Sequence, residues 1–356
     1  MSLPMNSSNE TLIQNSMDFT FRVMRLGLYP LVLALGIFGN LLVAFVILQN
    51  RRRDFRPSVR YFILNLAISD LIVLVMFIPF DFAYLEQDVW IFGLVMCKFV
   101  NTLNYAFVTV SGTTLAAISI ERHRSIVYPV KKPLSARFTK TIIIVIWIYA
   151  VLSLVPFIDS LYITSTGKCQ NDPNWWPSTL AFQVTFTLSC LVPGCVLPLS
   201  CITVCYVAIA ISLNRQNKRR RYRNSKRVQT TLSHRTRQNR KTIKVLSGLV
   251  AVYSLCIIPH FIILTMVIFD RDNTEALPSI YPAHEFTRLL MTANSCLNPI
   301  MYSAVSKEFR DKLRYILCRG RAIAGVHAEL NVGVPSPGVR LEAMTPLPLV
   351  ARVNRS

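Results

Sequence analysis

The sequence predicts an all-α membrane protein, a seven-transmembrane helix bundle followed by a short amphipathic eighth helix. Of its 356 residues, 52% are apolar and only 16% are charged, whereas soluble proteins carry about 25% charged residues. The apolar residues form long runs, and about 20 residues of helix cross a hydrocarbon layer of ~30 Å. A membrane β-barrel would need alternating segments of about ten residues, so these runs favour helices that satisfy their own backbone hydrogen bonds.

Seven apolar runs define a single bundle domain between residues 24 and 305. They predict helical spans at Met24–Leu48, Tyr61–Leu85, Leu94–Ile126, Phe138–Ile158, Thr179–Leu213, Thr242–Phe269 and His284–Val305. Residues 1–23 are polar and are expected to form an extracellular tail. The sequence contains no internal repeat, so one bundle accounts for all seven runs.

The chain changes character twice after the seventh run. Within residues 306–318, Phe309, Leu313 and Ile316 fall on one helical face, as in a helix that lies on a membrane surface. Cys318 ends this segment and is placed for palmitoylation. From residue 319 to 356, Pro, Gly and Arg occur without periodicity, so we expect a disordered cytoplasmic tail.

The net charge of +21 is concentrated on one side of the predicted membrane. Twelve Lys or Arg and no Asp or Glu occur from Arg215 to Lys241, whereas the alternate connections contain few basic residues. This positive-inside pattern predicts an extracellular N-terminus and a cytoplasmic C-terminus. Anionic membrane lipids, and not nucleic acid, are then the expected partners of the charge. Asn6 and Asn9 become N-glycosylation acceptors on the outside.

Polar residues within the apolar runs are the main functional signal, because a polar group in lipid is costly and is usually kept for function. Asp70 lies in the second run, where its carboxylate must be paired, hydrated, protonated or bound to an ion. Glu121-Arg122-His123 closes the third run, and Asn298-Pro299-Ile300-Met301-Tyr302 lies near the end of the seventh. Both motifs are predicted near the cytoplasmic face.

These motifs, together with prolines at matching places in three further helices, resemble the rhodopsin-like G-protein-coupled receptors over about Leu26 to Cys318. The resemblance implies that Glu121 restrains Arg122 until activation frees that guanidinium to face a heterotrimeric G protein. The residues that it assigns to coupling are Glu121, Arg122, His123, Tyr206, Asn298, Pro299 and Tyr302. Arrestin and receptor kinases are further partners of such receptors.

The resemblance also implies a sodium pocket that collapses on activation. Its members would be Asn40, Asp70, Ser111, Asn294, Ser295 and Asn298. The alternative is a hydrogen-bond network of the same residues without an ion. Cys97 and Cys169 match the disulfide of the family, and both lie on the predicted oxidising side of the membrane.

Three residues depart from the family pattern where the ligand signal is normally transmitted. Ile257 stands in place of the usual Trp in the sixth run, and Tyr253 stands where Phe is usual. Gly112 replaces a branched apolar residue in the third run. We therefore expect a different transmission switch or a changed basal activity.

The ligand class is narrowed by two further positions. Asn104 stands where amine receptors carry an Asp, and Thr292 stands where opsins carry a Lys, so neither ligand type is expected. The stretch Ile120–Pro129 resembles the neuropeptide Y and RFamide branch of peptide receptors. The outer connections are acidic, which suits a basic, amidated peptide steered by charge. The predicted ligand-binding residues are Asp81, Asn104, Tyr105, Asp270, Asp272 and Arg288.

Other interpretations remain open at the level of sequence. The outer loops could be acidic only because Lys and Arg are depleted there. The same fold could bind a lipid or another small molecule, or signal without a ligand, and a covered or apolar pocket would favour that alternative. A transporter or channel is disfavoured, because no paired halves with broken helices occur. The catalytic carboxylate pairs or histidine clusters of an intramembrane enzyme are not found in the sequence either.

Overall fold

The computed structural model describes residues 7–49, 57–128, 130–222, 226–269, 277–305 and 310. The helices of this part are α1 (Ser7–Gln49), α2 (Pro57–Met76), α3 (Ile78–Gln87), α4 (Gly93–Val127), α5 (Ala136–Leu152), α6 (Val155–Ile158), α7 (Thr179–Phe186), α8 (Leu197–Tyr222), α9 (Lys226–Phe269) and α10 (Leu277–Val305). A π-helical stretch, Thr187–Val196, joins α7 to α8. The predicted eighth helix, apart from Arg310, and the tail after it lie outside the described residues.

Six described segments are long and apolar enough to cross a membrane. They are Phe19–Gln49, Pro57–Gln87, Gly93–Val127, Ala136–Ile158, Thr179–Gln216 and Ser247–Phe269. The helix α10 corresponds to the seventh predicted run and packs against α1, α2 and α9. The described helices therefore coincide with all seven predicted runs.

Helix ends differ from the ends of the apolar runs at several places. The helix α1 begins at Ser7, well before the predicted span start at Met24, so much of the predicted tail is helical. No Gly or Pro occurs from Ser7 to Leu26, and hydropathy limits the membrane span without ending the helix. The basic ends of two other helices also extend past the predicted spans. The helix α8 continues to Tyr222, and α9 begins at Lys226.

Prolines account for the interruptions of the second and fifth spans. The break between α2 and α3 falls at Phe77, and Pro79 occupies the first turn of α3. Pro193 lies within the π-helical stretch, where its missing N–H and its ring prevent regular α-helical bonding.

A small hairpin covers the outer end of the described bundle. Strand β1 (Leu161–Ile163) pairs antiparallel with β2 (Cys169–Asn171), and Leu161 lies opposite Asn171. The disulfide between Cys97 and Cys169, which the resemblance implied, is present and ties β2 to the N-terminal part of α4. Around this bond, Val73, Phe77, Trp90 and Phe107 form a buried apolar cluster. The hairpin is thus fixed above the helices.

Close helix contact predicts a specific effect of side-chain size at Gly39. A Cβ at Gly39 would lie 2.8 Å from Cβ of Pro299, a rigid neighbour, whereas a Cβ at Gly27 on the same helix meets nothing within 4 Å. We expect Gly39→Ala to lower the thermal unfolding temperature of the detergent-purified protein, with an overpacking cost of about 1–3 kcal/mol. Gly27→Ala is the matched control and should not lower it. Equal effects of the two changes would contradict this packing.

Candidate functional site

A cavity of about 480 Å³ opens among α4, α7, α9, α10 and the hairpin. Leu161, Cys169, Gln170 and Asn171 of the hairpin contribute to its wall. Its other lining residues are Asn101, Thr102, Tyr105, Leu154, Phe157, Phe182, Phe186, Cys190, Leu264, Val267, Ile268 and His284. The polar groups are amides, hydroxyls and an imidazole, set in an aromatic and aliphatic wall. No Asp, Glu, Lys or Arg lines this cavity in the described part of the chain.

The acids predicted at an open ligand mouth are largely paired with cations, and Asp81 is the most deeply buried of them. Asp81 is only 1% exposed. Its carboxylate forms an ion pair with Arg288 and accepts a hydrogen bond of 2.7 Å from the hydroxyl of Tyr29. The guanidinium of Arg288 also lies over the ring of Phe77, with 5.1 Å to its centroid. Because protein encloses the carboxylate, the two charges satisfy each other, and together with Tyr29 they tie α1, α3 and α10 together.

Four other outer acids are paired as well. Glu86 binds Arg22 at 3.0 Å and Arg25 at 3.4 Å, and Arg25 also reaches Glu285 at 3.0 Å. Two more exposed pairs join Lys98 to Asp159 and Lys168 to Asp88. Sequence reasoning overlooked Arg22, at the end of the predicted tail, and Arg25, at the start of the first predicted span, as partners for these acids. Apart from Asp172, each described acid of the outer face therefore has a cationic partner.

The predicted ligand-binding residues do not converge on one place. Tyr105 lines the cavity, whereas Asp81 and Arg288 bind each other. Asn104 is buried at 5% exposure and does not line the cavity. Asp270 and Asp272 lie outside the described residues, as do Asn6, the side chain of Asn9, and Cys318.

The polar residues of the predicted sodium pocket meet in the middle of the bundle. Asp70 is fully buried, and its carboxylate accepts a hydrogen bond of 2.8 Å from Nδ2 of Asn298. The hydroxyl of Ser295 lies beside the same carboxylate. Nδ2 of Asn40 donates to the backbone oxygen of Ser295 at 2.8 Å. Ser111 and Asn294 are also buried, at 5% and 4% exposure. The structure thus joins α1, α2 and α10 through one polar network.

The predicted coupling residues lie on α4, α8 and α10. Glu121 is buried, and its carboxylate accepts a hydrogen bond of 3.1 Å from the hydroxyl of Ser58. Tyr206 on α8 lies near Arg122, and Tyr302 is 7% exposed. His123 packs edge-on against Tyr128, with ring centroids 6.0 Å apart. Pro299 packs on Gly39 of α1, as described above.

The three departures from the family pattern explain one another in part. The ring of Tyr253 is fully buried, and its hydroxyl donates to the backbone oxygen of Gly194, in the π-helical stretch, at 2.5 Å. That hydroxyl occupies the space that a Cβ at Gly112 would need. The absent side chain in α4 therefore makes room for the larger polar ring of α9. Ile257, four residues later on α9, is 1% exposed and is a core residue.

Sequence reasoning overlooked several lining residues. Asn101 donates to the backbone oxygen of Cys97 at 3.0 Å, and its position one turn after that cysteine was an available signal. His284 lines the cavity, and its neighbour His260 is buried behind it at 1% exposure; both imidazoles lie in apolar runs, which drew attention away from them. Gln170 and Asn171 directly follow Cys169, so the predicted disulfide already placed them near the bundle.

The comparisons with known proteins agree with this geometry. Residues 39–302 match the family described as 7 transmembrane receptor (rhodopsin family). The chain therefore belongs to this family of multi-pass membrane receptors, which confirms the predicted fold class. The members of this family are receptors and not enzymes, as predicted for this chain. The fold also matches squid rhodopsin, with a TM-score of 0.70 and 21% identity over 84% of this chain and 85% of that one.

Two relatives illustrate the range of similarity. Neuropeptide Y receptor type 1 of Xenopus laevis is 31% identical over 81% of this chain and 78% of its own length. Somatostatin receptor type 2 of Mus musculus is 28% identical over 88% of this chain and 82% of its own length. Both alignments cover most of the described bundle.

The buried Asp81–Arg288 pair predicts a strong coupling between the two residues. Asp81→Asn leaves an uncompensated buried guanidinium, which is expected to cost about 3–5 kcal/mol. The double variant Asp81→Asn/Arg288→Gln should recover much of that loss, as measured by thermal unfolding in detergent. The exposed pair of Asp88 and Lys168 provides the control, because Asp88→Asn is expected to cost at most about 1 kcal/mol. Additive effects of the Asp81 and Arg288 changes would rule out the proposed pairing.

The contact between Gly112 and Tyr253 predicts suppression of one change by another. Gly112→Ala puts a methyl group against the Tyr253 hydroxyl, so we expect lower stability and altered basal signalling. Tyr253→Phe removes the hydroxyl, so adding it to Gly112→Ala should partly restore the stability of that variant. Alone, Tyr253→Phe loses the hydrogen bond to Gly194, which should lower the stability by about 1 kcal/mol. Ligand-free signalling and unfolding temperature of the four proteins test this, and an unchanged Gly112→Ala phenotype in the double variant contradicts it.

Proposed function

We propose that this chain is a plasma-membrane receptor, with its N-terminus outside, that couples binding of an extracellular peptide to activation of a heterotrimeric G protein. The observation that carries the proposal is the 480 Å³ cavity beneath the disulfide-fixed hairpin. Its wall mixes amides and hydroxyls with aromatic rings, which suits the backbone amides and aromatic side chains of a peptide end. The names of the relatives, neuropeptide Y and somatostatin receptors, support the same ligand class.

The charge balance of the outer face changes the kind of peptide that we expect. The sequence suggested a basic peptide held by acids, but each described acid at the mouth except Asp172 has a cationic partner. The Asp172 carboxylate instead accepts from the backbone N–H of Asn174. Burying a charged end in a cavity lined by uncharged groups is costly. We therefore propose that the inserted end is uncharged, such as an amidated C-terminus.

Transmission would use the polar network and the coupling residues. Movement of α9 and α10 against α4 would rearrange the surroundings of Arg122, Tyr206 and Tyr302, and expose Arg122 to the G protein. Arrestin, receptor kinases and anionic lipids would act on the same cytoplasmic side. Glycosylation at Asn6 and Asn9 and palmitoylation at Cys318 complete the proposal.

A sodium ion fits the polar network around Asp70. Carboxylate, amide and hydroxyl oxygens are the ligands that hard cations prefer. Oδ1 of Asp70 and Oδ1 of Asn294 are buried without a well-aligned hydrogen bond from the described residues. We propose that Asp70, Ser111, Asn294 and Ser295 would hold the ion, which would supply positive charge to the carboxylate. Asn40 and Asn298 keep these groups in place through the bonds given above.

A small-molecule or lipid ligand is the second candidate. It is favoured by the same absence of charged groups from the cavity wall in the described part of the chain. It differs from the peptide proposal in needing no contact with the hairpin's outer surface.

The proposal predicts a cell-based signalling response. Cells expressing the chain are challenged with amidated neuropeptides, their free-acid forms, and panels of lipids and amines, while G-protein activation is recorded. We expect an amidated peptide to activate the G protein, and we expect its free-acid form to be at least about tenfold less potent. A tenfold difference corresponds to about 1.4 kcal/mol of binding free energy. Arg122→Ala should abolish the response at equal surface expression.

Cavity variants locate the peptide. Tyr105→Ala and Phe182→Ala should weaken potency by about 10–100-fold, as expected for truncated anchor residues. Phe38→Ala, an equally large truncation at a side chain that is 64% exposed on α1, should leave potency unchanged. A response only to lipids or amines, or equal potency in all three variants, would refute the peptide proposal.

A further inference from the structure

Two histidines face each other across the outer halves of α9 and α10. His260 on α9 and His284 on α10 have ring centroids 5.5 Å apart, with planes inclined by 32°. His260 is 1% exposed, whereas His284 lines the 480 Å³ cavity. The pair therefore connects a buried position in the helix bundle with the cavity.

These imidazoles lack the hydrogen bonds that buried polar groups normally make. Neither Nδ1 nor Nε2 of His260 has a hydrogen-bond partner, and Nε2 of His284 has none either, among the residues that the structure describes. An imidazole buried without a partner costs free energy in an apolar interior. Two adjacent imidazoles with this property indicate a group that binds between them.

The spacing of the rings fits a shared transition-metal ion. Zn²⁺ binds imidazole nitrogen at about 2.0–2.1 Å in tetrahedral geometry, which puts two coordinated ring centroids about 5 Å apart. The observed separation of 5.5 Å is close to this value. Neutral imidazoles suit Zn²⁺ far better than Ca²⁺ or Mg²⁺, which prefer oxygen ligands.

The nearby charges permit a cation at this place. Arg288 lies one helical turn after His284, but its charge is compensated by Asp81. Glu285, next to His284, is bound by Arg25. The charged side chains closest in sequence to His284 thus form balanced pairs, and the imidazoles face no uncompensated cation from these two residues.

The coordination would be completed from the cavity. No third His, Cys, Asp or Glu joins the pair within the described part of the chain. A zinc site with open positions accepts water or a substrate group there. Because His284 lines the cavity, a molecule bound in it could supply a donor atom to the same ion.

We propose that His260 and His284 together bind one Zn²⁺ ion at the inner side of the ligand cavity. The ion links α9 to α10 and leaves two positions for water or for a donor group of a ligand. Zinc binding is a property of the receptor alone and does not depend on the identity of the peptide.

Metal binding is tested on the full chain, purified in detergent without a polyhistidine tag. Thermal unfolding is followed during titration with Zn²⁺, and Co²⁺ replaces Zn²⁺ to give a visible absorption band from a tetrahedral site. His260→Gln and His284→Gln keep hydrogen-bonding ability but remove the imidazole ligand. Thr102→Ala changes another residue of the cavity wall and is the matched control. Mg²⁺ is the control ion.

We expect Zn²⁺, but not Mg²⁺, to raise the unfolding temperature of the unmodified chain and of Thr102→Ala. Removing a group that only hydrogen-bonds to a metal ligand costs about 10–100-fold in metal affinity. Removing a ligand itself should cost at least as much, so each His→Gln change should weaken Zn²⁺ binding by at least about tenfold. The Co²⁺ band should disappear in both variants. The proposal is overturned if Zn²⁺ has no effect on the unmodified chain, or if the effect persists in both variants.

Discussion

Within the hydrocarbon layer, a polar side chain can be satisfied only by other groups of the bundle or by what they enclose, and this constraint organises the structure. Asp70 illustrates it, since its carboxylate gathers amide and hydroxyl groups from α10. The side-chain amide of Asn65 is a second example. Its oxygen accepts a hydrogen bond of 2.9 Å from the indole N–H of Trp147, and its nitrogen donates one of 2.9 Å to the hydroxyl of Thr114. One amide thus connects α2, α4 and α5. Each polar group thereby becomes a joint between helices.

The same constraint separates the outer end of the bundle into two regions. One holds paired charges, with Asp81 and Arg288 at its buried centre, and it fixes α1, α3 and α10. The other is the cavity, whose wall carries polar but uncharged groups in its described part. Charge therefore serves the architecture in the first region, while the second is left for recognition. The two histidines lie at the boundary, where unmatched nitrogen atoms are available for an added ligand.

Several features of the site were accessible to sequence reasoning because they depend on local spacing or on a resemblance. The Cys97–Cys169 disulfide, the burial of Asp70 beside Asn298, and the position of Tyr105 belong to this group. The pairing of Asp81 with Arg288 was not accessible, because the two residues are far apart in the sequence and their helices had to be packed first. The start of α1 at Ser7 was not accessible for another reason, since hydropathy indicates the extent of the membrane span and not the end of the helix.

The sequence by itself determined seven spans and the family, because continuous apolar runs, alternating basic loops and ordered motifs are properties of the chain. Only the tertiary structure decided that Tyr253 fills the space left by Gly112, and that the outer acids have partners. It also decided that two histidines from different helices meet. These relations depend on which helix faces approach and at what depth, and packing of side chains between helices sets both.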